Sequence, residues 1–168
     1  MRKVTETPSR MVEKDGTIHF GTFRTPFRDV NILDVPLYSS SFGIPAFWKK
    51  FRLKEWQHYG IITPTHYFGM VVFDAKFMGV SFFYAYDRIE NKRFEHGAQA
   101  PGGASLVAAQ MYDGICEFKQ KGYLLRFENQ LKDGFHKIII DIAEKKNRPA
   151  VQGEINVLED LSKIEPLV

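Results

Sequence analysis

Cysteine is almost absent from this chain, with Cys116 the only one in 168 residues. A single thiol excludes an internal disulfide and any cysteine-rich zinc site, and it suits a reducing compartment. Long apolar runs are missing as well. No stretch of about 18 apolar residues exists, so no transmembrane segment is expected. Met1-Arg2-Lys3-Val4-Thr5-Glu6-Thr7-Pro8 lacks the apolar stretch of a secretory leader, and the protein reads as soluble and cytoplasmic. Charge of one sign is also scarce: the net charge is +3. Basic residues cluster only at Lys49-Lys50-x-Arg52 and Lys145-Lys146-x-Arg148, which read as solvated faces or turns, so nucleic acid is not an expected partner.

The motifs of cofactor and nucleophile chemistry are missing too. There is no Gly-Lys-Ser/Thr phosphate loop, no GxGxxG after a strand and no GxSxG elbow. Pro101-Gly102-Gly103-Ala104-Ser105 is rich in glycine, but no helix follows it to cradle a phosphate, and it reads as a turn. The histidines His19, His58, His66, His96 and His136 show neither the i, i+2 nor the i, i+4 spacing of paired ligands, so no metal and no cofactor are expected. Helix signals are confined to residues 159–163.

Aromatic residues are what the chain has in excess: 15 Phe, 7 Tyr and 2 Trp make up 14% of it. They favour pleated, half-buried surfaces and point to β structure around a wide core or an apolar cavity. Residues 1–47 read as an irregular N-terminal arm punctuated by Pro8, Pro26, Pro36 and Pro45. The arm carries one strand at 17–24, after the Asp15-Gly16 turn, and a lid-like loop at 29–45 that includes Ser39-Ser40-Ser41.

Residues 48–168 read as a succession of strands at 53–63, 67–76, 79–89, 92–96, 104–110, 114–119, 123–128, 136–143 and 151–158. The turns between them are too short for parallel crossovers, so the strands form an antiparallel meander. Tyr123, Leu125 and Phe127 share one face, as do Ile138, Ile140 and Ile142, giving one-sided strands. Residues 67–73 and 80–86 are apolar or aromatic on both faces, so each side must meet something.

The runs Trp48-Lys49-Lys50-Phe51-Arg52-Leu53-Lys54-Glu55-Trp56-Gln57-His58-Tyr59, Phe68-Gly69-Met70-Val71-Val72-Phe73-Asp74-Ala75 and Gly79-Val80-Ser81-Phe82-Phe83-Tyr84-Ala85-Tyr86-Asp87-Arg88 resemble the bacterial family called domain of unknown function 2804. The resemblance covers about residues 16–168. It implies a relation to tandem lipocalin-like proteins, among them the AttH-like proteins and carotenoid 1,2-hydratases and, more remotely, tocopherol cyclases.

The fold expected on these grounds is all-β, an antiparallel up-and-down lipocalin-like (calycin) barrel or half-barrel. Its opening strand begins in residues 47–60, with Arg52 stacked on Trp56 to close the base. Family members look like two calycin halves, so this chain resembles the N-terminal half. The expected partners are a small apolar ligand and either a second lipocalin-like half or another copy in a homodimer.

A cavity lined by Trp56, Tyr59, Phe68, Phe82, Tyr84 and Phe127 is expected to bind an apolar or amphipathic small molecule, a lipid or isoprenoid. The alternative is a cofactor-independent hydratase, cyclase or isomerase. Carboxyls held among aromatic rings, Glu55, Asp74 and Asp87, then stay protonated as general acids, and the catalytic candidates are Glu55, Asp87, His58 and Tyr84. The bland reading makes Asp87-Arg88 a strand-end ion pair and Asp74 the start of a hairpin turn. A second alternative gives the domain a purely structural role in supporting a partner domain.

Overall fold

A computed structural model describes residues 3–36, 45–160 and 162–163, with residue 46 described by its backbone alone. Residues 39–41, part of the expected lid-like loop, and part of the expected helical stretch at 159–163 lie outside the described residues.

The described residues are mostly β. In the arm, β1 (Val4–Thr5) pairs in parallel with β2 (Thr22–Phe23), and a 3-10 turn follows at Ile32–Asp34. A helix, α1 (Ala46–Arg52), leads into β3 (Glu55–Ile62), β4 (His66–Asp74), β5 (Met78–Asp87) and β6 (Lys92–Pro101). The chain then crosses to β7 (Ser105–Leu106), β8 (Gly114–Gln120), β9 (Tyr123–Gln130), β10 (Phe135–Ile142) and β11 (Val151–Leu158).

Two antiparallel meanders result: a four-stranded sheet in the order β3-β4-β5-β6 and a five-stranded sheet in the order β11-β10-β9-β8-β7. They pack face to face as an open half-barrel without closing into a barrel. The expected up-and-down order therefore holds within each sheet. The switch falls at Pro101-Gly102-Gly103, where positive φ at Gly103 turns the chain away from β6.

Several local expectations need correction. The aromatic run expected to open the first strand starts as α1: Phe47, Trp48 and Phe51 recur at i+3 and i+4 spacing behind Pro45, which has the extended φ/ψ of a helix N-cap. Among the described residues Arg52 does not stack on Trp56; instead Lys54 sits 5.8 Å from the Phe51 ring centroid and 5.0 Å from that of Phe77, while Trp56 leans on Phe73 at 6.4 Å. The strand expected at 17–24 shrinks to β2, and that at 104–110 shrinks to β7. Scattered bonds replace a long ladder: the His19 N–H donates to the Met11 carbonyl at 3.0 Å in the first stretch, and the Ala108 N–H donates to Cys116 Sγ at 3.1 Å in the second.

The core lies between the sheets and is filled. Met70, Val72, Phe118, Leu125, Phe127 and Ile138 have no exposed surface, and burying each such side chain contributes about 1.5–3 kcal/mol. Strict alternation supplies these residues: β9 buries Tyr123, Leu125, Phe127 and Asn129 and points Leu124, Arg126, Glu128 and Gln130 outward.

The two outer faces differ. That of the five-stranded sheet carries ion pairs, Arg126 with Glu117 and Glu128, each at 2.9 Å, and Lys137 with Glu154 at 2.9 Å. The outer face of the four-stranded sheet is aromatic instead. The registers put Trp56, Phe73 and Val80 in one row, Val71 and Phe82 in the next, and Tyr67 and Tyr86 in another. Tyr84 lies flat across Gly69, where a Cβ would stand 2.3 Å from its ring.

Candidate functional site

Polar residues at two inward positions mark one end of the sandwich. Gln57 of β3 alternates with outward Trp56 and His58, and Asn129 of β9 continues the inward series of Leu125 and Phe127. Only 9% of Gln57 and 1% of Asn129 are exposed. Buried carboxamides need partners, and these two serve each other. Gln57 Nε2 donates to Asn129 Oδ1 at 2.8 Å, and Asn129 Nδ2 donates to Gln57 Oε1 at 2.9 Å.

The pair is extended on both sides. The Cys116 thiol donates to Gln57 Oε1 at 2.8 Å and accepts the Ala108 backbone N–H at 3.1 Å. Gln57 Nε2 also donates to Tyr59 Oη at 3.0 Å. Burial pushes the Tyr59 phenol and the Cys116 thiol upward, so both stay protonated. His136 lies opposite Asn129 in the β9–β10 register, is 2% exposed, and its Nδ1 has no partner. Burial lowers its pKa and keeps the ring neutral.

In front of this floor opens a cleft of about 670 Å³. One wall is the arm, through Met11, Val30, Ile32 and Leu33; the others are Leu53 and Trp56 at the start of β3 and the loop Val107 to Met111 before β8. Asn31 locks the arm in place: its Oδ1 accepts the N–H groups of Met11 (3.1 Å) and Val12 (3.0 Å), and its Nδ2 donates to the Val12 carbonyl at 2.8 Å. Tyr112 Oη donates to the Pro26 carbonyl at 3.1 Å while Arg28 sits 4.5 Å over the Tyr112 ring. The volume falls within the range of small-molecule sites, and the lining is mostly apolar.

The expected ligand residues do not line one cavity. Trp56 borders the cleft and is 63% exposed, and Tyr59 stands behind the floor, edge-on to Phe127 at 4.9 Å. Phe127 itself is wholly core. Phe68 faces a separate apolar cleft of about 570 Å³ at the far end, shared with His66, Phe94 and Val151. Phe82 and Tyr84 stack at 6.1 Å on the outer face of the four-stranded sheet.

The catalytic candidates are equally dispersed. Glu55 and Asp74 both hold the Lys76 ammonium, the latter at 2.8 Å, and Asp74 Oδ1 also accepts the Lys76 backbone N–H at 2.7 Å. Burial works against the charge on Lys76, yet the bonds from Asp74 and Glu55 hold its pKa above the ordinary value. Asp87 accepts the N–H groups of Glu90 and Ile89, which lower its pKa, so it is an ionised turn cap. His58 is exposed on the outer face, and Tyr84 lies under Arg93, 5.4 Å from its ring. Glu55 pairs through Asp74 to Gly79, eight residues before Asp87, which puts the two acids about 26 Å apart along the sheet.

Sequence reasoning missed Gln57, Asn129 and Cys116. The signal available was a polar side chain at an inward position of an alternating strand. Among the described residues no group of three or more histidine, cysteine, aspartate or glutamate side chains is arranged to hold a metal ion. No curated protein and no solved structure matches the chain. A family model described as Domain of unknown function (DUF2804) matches residues 1–165. With nearly its whole length matched, the chain belongs to the DUF2804 family.

Proposed function

We propose that this domain binds an apolar or amphipathic small molecule, of lipid or isoprenoid type, in the cleft between the arm and the Gln57–Asn129 end of the sandwich. The observation that carries the reading is the pairing of an apolar, arm-walled cleft of about 670 Å³ with a rigid polar floor. An apolar wall supplies affinity by losing contact with water, and a fixed floor sets the depth to which a ligand enters.

The acids first considered for proton transfer are engaged elsewhere, Glu55 with Lys76 and Asp87 in a turn, so binding is the reading favoured over turnover. A second reading concerns the aromatic outer face of β3–β6. It is the kind of surface that a second β-domain or a further copy of the chain covers, and its contrast with the ion-paired face of the other sheet supports that role.

One experiment reads both. Native mass spectrometry of protein purified from its own host, followed by lipid extraction, is expected to give a co-purified apolar compound and a mass above that of one chain. A bare protein speaks against the cleft reading, and a strictly monomeric one against the covered face.

A further inference from the structure

We infer that the aromatic and basic patch formed by α1 and the turn between β4 and β5 docks the domain on the surface of an anionic phospholipid membrane. Phe47, Trp48 and Phe51 of α1 and Phe77 of the turn are each 45–65% exposed. Their rings form a line, with centroids 5.2 Å apart from Phe47 to Trp48, 5.9 Å from Trp48 to Phe51 and 6.4 Å from Phe51 to Phe77. Four large rings side by side in water are unfavourable, which marks the patch as a surface that something covers.

Charge indicates what covers it. Residues 45–54 hold four cations and no acid. Lys49 donates to the carbonyls of Val35 at 3.2 Å and Leu33 at 3.4 Å, and Lys54 to those of Ala75 at 2.6 Å and Phe51 at 3.3 Å, so neither charge meets a counter-charge. Lys50 and Arg52 form no ion pair among the described residues, and the acids next to the patch, Glu55 and Asp74, already hold Lys76. The end of α1 favours cations in its last turn but gives no reason for bare rings beside them.

A protein partner fits this composition less well, because lysine is depleted at protein–protein interfaces. Rings interleaved with lysine and arginine suit the surface of a bilayer. The rings enter the boundary between head groups and acyl chains, and the cations stay level with the phosphates and attract anionic lipid. Lys54 combines both roles, its ammonium 5.0 Å from the Phe77 centroid while its stem covers apolar surface. Leu53 and Lys54 also line the arm-walled cleft, so docking sets that cleft beside the lipid. The inference stands whether or not the cleft holds a ligand.

Flotation with phosphatidylcholine vesicles, made with and without phosphatidylserine, tests it. The protein is expected to float with the vesicles that contain phosphatidylserine and to stay behind with phosphatidylcholine alone. Lys50→Gln/Arg52→Gln, which alters two exposed side chains, is expected to weaken binding at least about tenfold. In Trp56→Phe protein Trp48 is the only tryptophan, and its emission is expected to shift to the blue as the ring leaves water. No binding to phosphatidylserine vesicles overturns the inference, as does binding unaltered by Lys50→Gln/Arg52→Gln or unaccompanied by a Trp48 shift. Self-association that Phe47→Ser abolishes, in protein that ignores both vesicles, assigns the patch to a second copy instead. Should Trp56→Phe fail to fold, flotation of the unaltered and doubly substituted proteins decides alone.

Discussion

At the scale of single residues, the carboxamide pair is the feature with the sharpest energetic consequence. Gln57 and Asn129 are buried and satisfy each other, so removing one leaves the other's donor and acceptor stranded away from water. Gln57→Leu or Asn129→Leu is expected to lower stability by about 1–3 kcal/mol, and the double variant Gln57→Leu/Asn129→Leu by less than the sum. Urea denaturation of the four proteins in a double-mutant cycle checks this. Strict additivity means that the two side chains are energetically independent.

His136 adds a dependence on pH whose sign follows from burial. Its folded pKa lies below the ordinary 6.5, so the unfolded chain takes up protons first as the solution is acidified. The stability it contributes is fully present above pH 6.5 and is lost as pH falls through the depressed folded value. The urea midpoint is therefore expected to drop as the pH falls below 6.5, and His136→Phe to flatten that slope. A slope unchanged by the substitution assigns the loss to other groups.

At the scale of elements, the arm is the piece whose attachment decides whether the cleft exists. It contributes a wall without a long ladder, and Asn31 replaces that ladder with bonds to Met11 and Val12. Asn31→Ala is expected to raise hydrogen exchange at Met11 and Val12 by at least about tenfold while the amides of β4 and β9 stay protected. Equal loosening of β4 and β9 makes the arm part of the same cooperative unit as the sandwich.

The same contrast explains what could be read from the sequence. β8 to β11 were legible because their alternation is clean, as in Tyr123, Leu125 and Phe127 against Arg126 and Glu128. The two-faced apolar runs of β4 and β5 were legible as well, with a core on one side and an aromatic surface on the other. α1 was hidden because Phe and Trp suit strands and helices alike, and only the i+3, i+4 spacing separates them. The site was hidden for a different reason. Gln57 and Asn129 lie 72 residues apart, and only the packing of one sheet on the other joins them.

At the scale of the whole molecule, the filled interior changes where a ligand can go. A lipocalin-type cavity between the sheets is closed by Met70, Phe118, Phe127 and Ile138, which are fully buried. Two apolar clefts lie at the ends of the sandwich, and of these two the arm-walled one has the larger volume, about 670 Å³ against about 570 Å³, together with the polar floor. The outer aromatic sheet is a separate surface, on the other side of β3–β6 from the floor.

The most direct measurement is the chemical-shift map of isotope-labelled protein titrated with dodecan-1-ol. The account predicts that shifts concentrate at Leu53 to Gln57 and Val107 to Met111, with the arm residues Met11 and Ile32 following. Shifts gathered instead at Phe82 and Tyr84 or around Phe68 and Phe94, or no shifts at all, contradict it.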